Sequence, residues 1–303
     1  MQTLVPSLIP WPWITYTRER WPTPGGLDFI DVDWAGTQGA APLLVLFHGL
    51  EGNSSGAYAR RIGAAALRRG WRFAVPHFRG CSGELNRVLI DYHGGASREV
   101  DWILRTFRAQ HGPVYAAGVS LGANALLKWL GEEGAGAAQV VRGAVAVSAP
   151  LDLSVTGASL ARGFSLLYGK FFLAFHLRSK ALRKLERYPW AYDEACVQGA
   201  GRLRDFEDAV TAPVNGFSDV HDYWTGASAG PFLQNIQVPT LLLNARNDPF
   251  LADHVLRAAE RRQEAGQVPP NVVFEFPREG GHAGFADGAG WLGNRVAGFL
   301  ARL

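Results

Sequence analysis

The sequence predicts an α/β protein: a mostly parallel sheet covered by helices on both faces and interrupted by a helical insertion. Three observations predict it. Short apolar runs, typical of strands buried on both faces, recur at 43–47, 114–119, 141–147 (broken by Arg142) and 240–243. Stretches with helical spacing stand between them, which is the rhythm of strands joined by crossover helices. That rhythm stops after Pro150 and resumes at Val238, with only helical patterns between. The chain therefore reads as one domain whose core, 25–149 and 236–303, is broken by an insertion over 150–235.

Taken in order, residues 1–24 are rich in proline and tryptophan and read as an irregular arm. The run LDFIDVDW (27–34) alternates apolar and acidic residues, the period of a half-exposed strand. LLVLF (43–47) is a buried central strand, followed by a helix over 57–69 that Gly70 closes. A strand over 71–76 and a helix over 98–109 come next. The apolar run 114–119 stops at Ser120, and from Leu121 the spacing turns helical, with Leu126, Leu127 and Leu130 on one side, as far as about Gly134. The strand 141–147 follows. Within the insertion, DVHDYWT (219–225) has no alternation and reads as loop. Beyond Val238 come a strand, a helix over 253–264, the strand 271–276 and a closing helix from about Gly290 to Leu303.

Bulk properties narrow the function. A net charge of +3 with both signs spread along the chain gives no basic stripe for nucleic acid, despite a pI near 9.0. Two cysteines are too few for a disulfide framework. The first residues, MQTLVPSLIPWPW, lack a charged n-region and contain three prolines, so they do not read as a signal peptide. No apolar run reaches the roughly 18 residues of a spanning helix. These features predict a soluble, cytoplasmic protein.

Ser120 is the centre of the chemistry. Gly118 and Gly122 flank it, as a sharp strand-to-helix turn requires, and the turn exposes the hydroxyl at its tip. The Gly-x-Ser-x-Gly pattern also occurs around Ser54 and Ser228, so context decides. Ser228 has no strand before it. Four residues, His48 to Glu51, separate the strand from Gly52, and Ser54 and Ser55 read as caps of the helix that follows. A serine nucleophile needs a base and an orienting carboxylate. Asp248 lies just beyond the strand 240–243, and His282 just beyond the last strand. Ligand sites in such sheets form past the strands' carboxyl ends, so the three side chains should emerge on one edge, in the order Ser, Asp, His. Glu279 and Asp253 are the rival acids. The Leu121 N–H at a helix start and the Leu50 N–H in the loop after 43–47 are candidate oxyanion donors. His48 reads as a brace for that loop. No cluster has metal-ligand spacing, and the chemistry calls for no cofactor.

Several segments together resemble one family: HGLEGNSSGAYAR (48–60), FRGCSGELNR (78–87) with YHGG (92–95), GVSLGANALLKWLGE (118–132), SAPLDL (148–153), TAPVNGF (211–217) with DYW (222–224), and NARNDPF (244–250). The chain is similar to the α/β-hydrolases, within them to the YheT-like hydrolases, which are related to yeast medium-chain ethanol acyltransferases and to some mammalian lipid-cleaving hydrolases. The resemblance implies the α/β-hydrolase fold, Ser120 as nucleophile, Asp248 as acid, His282 as base, and Leu50 with Leu121 as oxyanion donors. The family's His-x-x-x-x-Asp pattern fits His282 to Asp287, where Asp287 also reads as a cap for the last helix.

The insertion holds an apolar run, FSLLYGKFFLAFHL (164–177), and then five cations between Arg178 and Arg187. Three accounts are open: a core-packing helix with a solvated basic face, a lid that receives an acyl chain, or a basic amphipathic segment resting on an anionic membrane. The predicted activity is hydrolysis of small-molecule acyl esters or lipids, medium-chain ones above all, through an acyl-enzyme. Transfer of the acyl group to an alcohol or thiol is the alternative, and a non-catalytic ligand-binding protein of this fold the second.

Overall fold

In the computed structural model, residues 13–37, 39–112, 114–285 and 290–303 are described, Phe164 by its backbone only. Among them eight strands form a sheet in the order β1-β2-β4-β3-β5-β6-β7-β8. These are β1 (Thr17–Pro22), β2 (Phe29–Ala35), β3 (Leu43–Phe47), β4 (Arg72–Pro76), β5 (Val114–Val119), β6 (Val141–Val147), β7 (Thr240–Leu243) and β8 (Val272–Glu275). The strands β1, β2 and β4 pair antiparallel; every pairing from β4 to β8 is parallel.

The apolar runs form central strands because both of their faces are covered. Along β3, Leu43, Val45 and Phe47 enter one core layer, while Leu44 and Leu46 enter the other. The first layer is closed by α2 (Ser97–His111) and α3 (Leu121–Glu133), and the second by α1 (Ala57–Arg68) and α12 (Trp291–Leu300). Burial of these side chains is worth about 1.5–3 kcal/mol each, so this alternation does more than any other feature to fix the sheet.

Between β6 and β7 lie α4 (Leu153–Leu160), α5 (Gly163–Phe172), α6 (Arg178–Arg187), α7 (Glu194–Gly199), α8 (Leu203–Phe206), α9 (Ala212–Val214) and α10 (Val220–Ala227). A π turn, Leu173–Leu177, joins α5 to α6 without a break, and a second, Glu207–Thr211, links α8 to α9. After β7, α11 (Asp253–Glu264) leads to β8.

The structure corrects four expectations. Within the stretch read as an irregular arm, residues 17–22 form β1, paired across from β2 so that Arg18 faces Asp33 and Arg20 faces Asp31. Residues 1–12 lie outside the described residues. The strand β2 is buried along nearly its whole length rather than half-exposed, because its acids are covered by Arg18, Arg20 and His77. The stretch 219–225 is helical: Asp219 accepts from the His221 and Asp222 N–H groups and starts α10, which buries Tyr223 and Trp224. Finally, the basic run 178–187 is no continuous solvated face. Lys180 and Lys184 turn inward, where Glu51 and Asp91 meet them.

Candidate active site

Ser120 sits at the tip between β5 and α3 with φ 55° and ψ −121°, a conformation that costs a non-glycine residue about 1–3 kcal/mol. Its neighbours hold it there. The Ser120 N–H donates to the Val147 carbonyl at 2.8 Å, and its own carbonyl accepts from Ala123 and Asn124. The flanking glycines are required by close approach: a Cβ on Gly122 would stand 2.4 Å from the His48 carbonyl oxygen, and one on Gly118 2.6 Å from the Ala123 Cα.

The loops after β7 and β8 bring Asp248 and His282 to that tip. His282 Nε2 lies 2.8 Å from Ser120 Oγ, and His282 Nδ1 lies 2.8 Å from Asp248 Oδ2. A carboxylate can only accept, so Nδ1 carries the ring proton and Nε2 is left to accept from the serine hydroxyl. The other Asp248 oxygen accepts from the Phe250 N–H at 2.9 Å, which fixes the carboxylate in a fully buried position. Two residues to which the sequence reading assigned no role anchor the histidine loop, although both lie in segments that carry the resemblance. Asn247 Oδ1 accepts from the Gly280 and Gly281 N–H groups at 3.1 and 2.9 Å, and Ser148 Oγ accepts from Ala283 N–H at 3.0 Å. The signals that could have found them are those two segments, SAPLDL and NARNDPF, and their positions just after β6 and beside Asp248.

Neither rival takes the place of Asp248 on the imidazole. Asp253 pairs with Arg246 and Arg257, and Glu279 is exposed. Ser54 does not cap α1; its hydroxyl donates to Asp33 Oδ2 at 2.5 Å, and the cap position is Gly56, without a side-chain bond. Ser55 Oγ donates to Asn53 instead. Ser228 Oγ donates to the Trp224 carbonyl at 2.6 Å and accepts from Leu153 N–H. Asp287 lies outside the described residues.

The loop after β3 passes over the serine. A Cβ on Gly49 would stand 3.2 Å from Ser120 Cβ and 3.8 Å from Oγ, so the Gly49–Leu50 amide lies beside the hydroxyl. Among the described residues no acceptor takes the Leu50 or Leu121 N–H, whereas the Gly49, Glu51 and Gly52 N–H groups donate to Tyr58, Tyr92 and Gly49. His48 is buried, and burial foremost, with His77 next, pulls it down to about 3. It stays neutral, pairs through Nδ1 with the Gly49 carbonyl at 2.7 Å and accepts the Phe78 N–H at Nε2. That is a brace and leaves no base to offer.

Ser120 and His282 open onto a cavity of about 350 Å³ roofed by Leu160, Tyr168 and Phe172 of the insertion and walled by Phe250 and Leu251. Tyr168 and His282 both pack against Phe250 in tilted arrangements, each with centroids 4.6 Å apart. Burial, followed by the nearby Asp248 charge, pushes the Tyr168 hydroxyl up to about 12, so it remains a neutral part of the lining. The other side of the same helix exposes Leu167, Phe171 and Phe175.

Comparison with known proteins places these features in context. The profile of the Alpha/beta hydrolase family matches residues 44–292. "Putative esterase YheT" of Escherichia coli is 38% identical over 294 residues, covering 93% of this chain and 84% of that protein. The "Medium-chain fatty acid ethyl ester synthase/esterase 2" of Saccharomyces cerevisiae is 26% identical over 293 residues, 86% of this chain and 62% of the yeast protein. Among solved structures, the Pyrococcus furiosus esterase Pf2001 superposes with a TM-score of 0.60 at 15% identity, over 95% of this chain and 93% of that one, which is a likeness of fold.

Proposed function

This chain belongs to the alpha/beta hydrolase family, and from that premise we propose that it is a serine esterase acting on acyl esters of medium chain length. The observation that carries the reading is the unbroken hydrogen-bonded series Asp248–His282–Ser120, ending at the wall of an apolar cavity. In this mechanism Ser120 Oγ attacks the ester carbonyl while His282 Nε2 takes its proton. Asp248 keeps the ring oriented and stabilises the imidazolium. The oxyanion of the tetrahedral intermediate is received by the Leu50 and Leu121 N–H groups, the latter at a helix start where the dipole favours negative charge. Collapse expels the alcohol, which leaves with the proton from His282. Water, activated by the same imidazole, then releases the acid and restores the hydroxyl. The insertion acts as a lid whose inner face, Tyr168 and Phe172 foremost, holds the acyl chain; the cavity stands at the small end of the range for ligand pockets, which favours medium over long chains.

A fluorophosphonate probe and a series of p-nitrophenyl esters test the proposal. Wild type labels at Ser120 and turns over six- to ten-carbon esters best, and Ser120→Ala does neither. Labelling that survives Ser120→Ala, or activity confined to acetyl esters, would overturn the reading. A second reading, transfer of the acyl group to an alcohol, is favoured by the similarity to the yeast synthase/esterase. Ethanol added at modest concentration separates the two: ethyl ester outpacing free acid assigns transfer.

A further inference from the structure

Residues 49–52 form a tight turn. Gly52 N–H donates to the Gly49 carbonyl at 2.9 Å, and Glu51, the third residue, has φ 51°. This is the position at which a type II turn favours glycine or asparagine. A glutamate held in the left-handed region costs roughly 1–2 kcal/mol, so something must hold it there. Three contacts do. The Glu51 N–H donates to the Tyr92 hydroxyl at 2.7 Å, that hydroxyl donates to Glu51 Oε1 at 2.7 Å, and Lys180 Nζ donates to the same oxygen at 2.8 Å.

Lys180 belongs to α6 of the insertion and not to the core. Its side chain and that of Glu51 are 5% and 8% exposed, so the pair is shielded from water. Lys180 also reaches the Arg79 carbonyl at 3.3 Å and lies over the Tyr92 ring, while Lys184, one turn further along, pairs with Asp91 at 3.1 Å. A buried ion pair is a weak source of net stability, because desolvation offsets most of the attraction. What it does supply is a defined geometry, and here that geometry is applied to the residue next to Leu50. Removing the clamp would free Glu51 to return to negative φ by turning over the Leu50–Glu51 peptide, and the adjacent Gly49–Leu50 amide would then lose its fixed aim.

We propose that Lys180 is a positioning residue for the reaction: by clamping Glu51 it aims the Leu50 N–H at the oxyanion, so the oxyanion pocket is complete only while the insertion is seated on the core. The proposal rests on the reading of Ser120 as nucleophile and Leu50 as donor. Its test compares Lys180→Met, the double variant Lys180→Met with Glu51→Gln, and Tyr92→Phe, which retains the ring stacked on Phe78. Active sites are counted by end-point fluorophosphonate labelling. For each variant, kcat per labelled site and KM are measured on a p-nitrophenyl ester, together with Ki for a trifluoromethyl ketone that mimics the tetrahedral oxyanion. Removing one oxyanion donor costs about 10²–10³ in kcat, so a misaimed one should cost about tenfold to a hundredfold, with KM within about threefold. Ki should weaken by the same factor as kcat. Should Lys180→Met fail to fold, Tyr92→Phe carries the same expectation. Unchanged kcat per labelled site and unchanged Ki, with only the melting temperature lowered, would reduce the clamp to a structural role and overturn the proposal. Absence of labelling at Ser120 in wild type would instead remove the esterase reading on which it stands.

Discussion

Glu207 offers a quantitative test of how the insertion meets the core. It starts the second π turn and lines a small cavity that Leu50 and Leu121 also border. Its carboxyl accepts the Trp224 Nε1–H at 2.9 Å, and among the described residues no cation pairs with it. Burial pushes it up to about 7 from an ordinary 4.5, although the Trp224 bond pulls the other way. The folded state therefore keeps a proton that the unfolded chain releases between about pH 4.5 and 7. The sign follows: this contribution to stability is full below pH 4.5, falls as pH rises through that window, and is gone above about 7. At about 1.4 kcal/mol per pH unit, the full swing is roughly 3 kcal/mol. Glu207 retains some accessible surface, and solvent screening brings the expected value to roughly 1–3 kcal/mol. Glu207→Gln keeps the shape and the acceptor for Trp224 but cannot ionise. Urea unfolding followed by tryptophan fluorescence should show the variant gaining about 1–3 kcal/mol on wild type between pH 4.5 and 8. A difference between the two that stays flat across that range would refute the argument and place the carboxyl in contact with bulk water.

Three further outcomes follow from the same geometry. Asp248→Asn should lower kcat by about three to four orders of magnitude with little change in KM, because the asparagine no longer fixes the Nδ1–H tautomer; steady-state kinetics on a p-nitrophenyl ester measure it. Gly122→Ala should lose about 1–3 kcal/mol in a denaturant melt, since its Cβ meets the His48 and Phe47 carbonyl oxygens at 2.4 and 2.5 Å and backbone cannot swing aside. Phe172→Ala should move the chain-length optimum upward by about two carbons, because it empties part of the roof of the cavity beside Ser120, where the proposed acyl chain would lie; an unchanged optimum in the ester series would place the acyl chain elsewhere.

The sheet and the Ser120–His282–Asp248 series were legible because their signals are local. Each side chain follows a short apolar run, and a parallel sheet sends the ends of such runs to one edge. What was illegible depends on partners far away in sequence. The charged strand β1 reads as an arm until Arg18 and Arg20 are set opposite Asp33 and Asp31. In α10 the sequence reads as loop, because its buried Tyr223 and Trp224 show no helical period over so few residues and the capping role of Asp219 emerges only from the structure. The cations of α6 are the sharpest case. Lys180 and Lys184 look the same in sequence as Arg183 and Arg187, which stay exposed. Spaced four apart they share one helix face, and what buries that face is a pair of acids, Glu51 and Asp91, supplied by core loops some 90 to 130 residues earlier. Composition alone assigns such a run to solvent, because an unpaired buried ammonium is prohibitively costly. The two acids remove that cost, and so the seating of the insertion depends on the turn that carries Leu50.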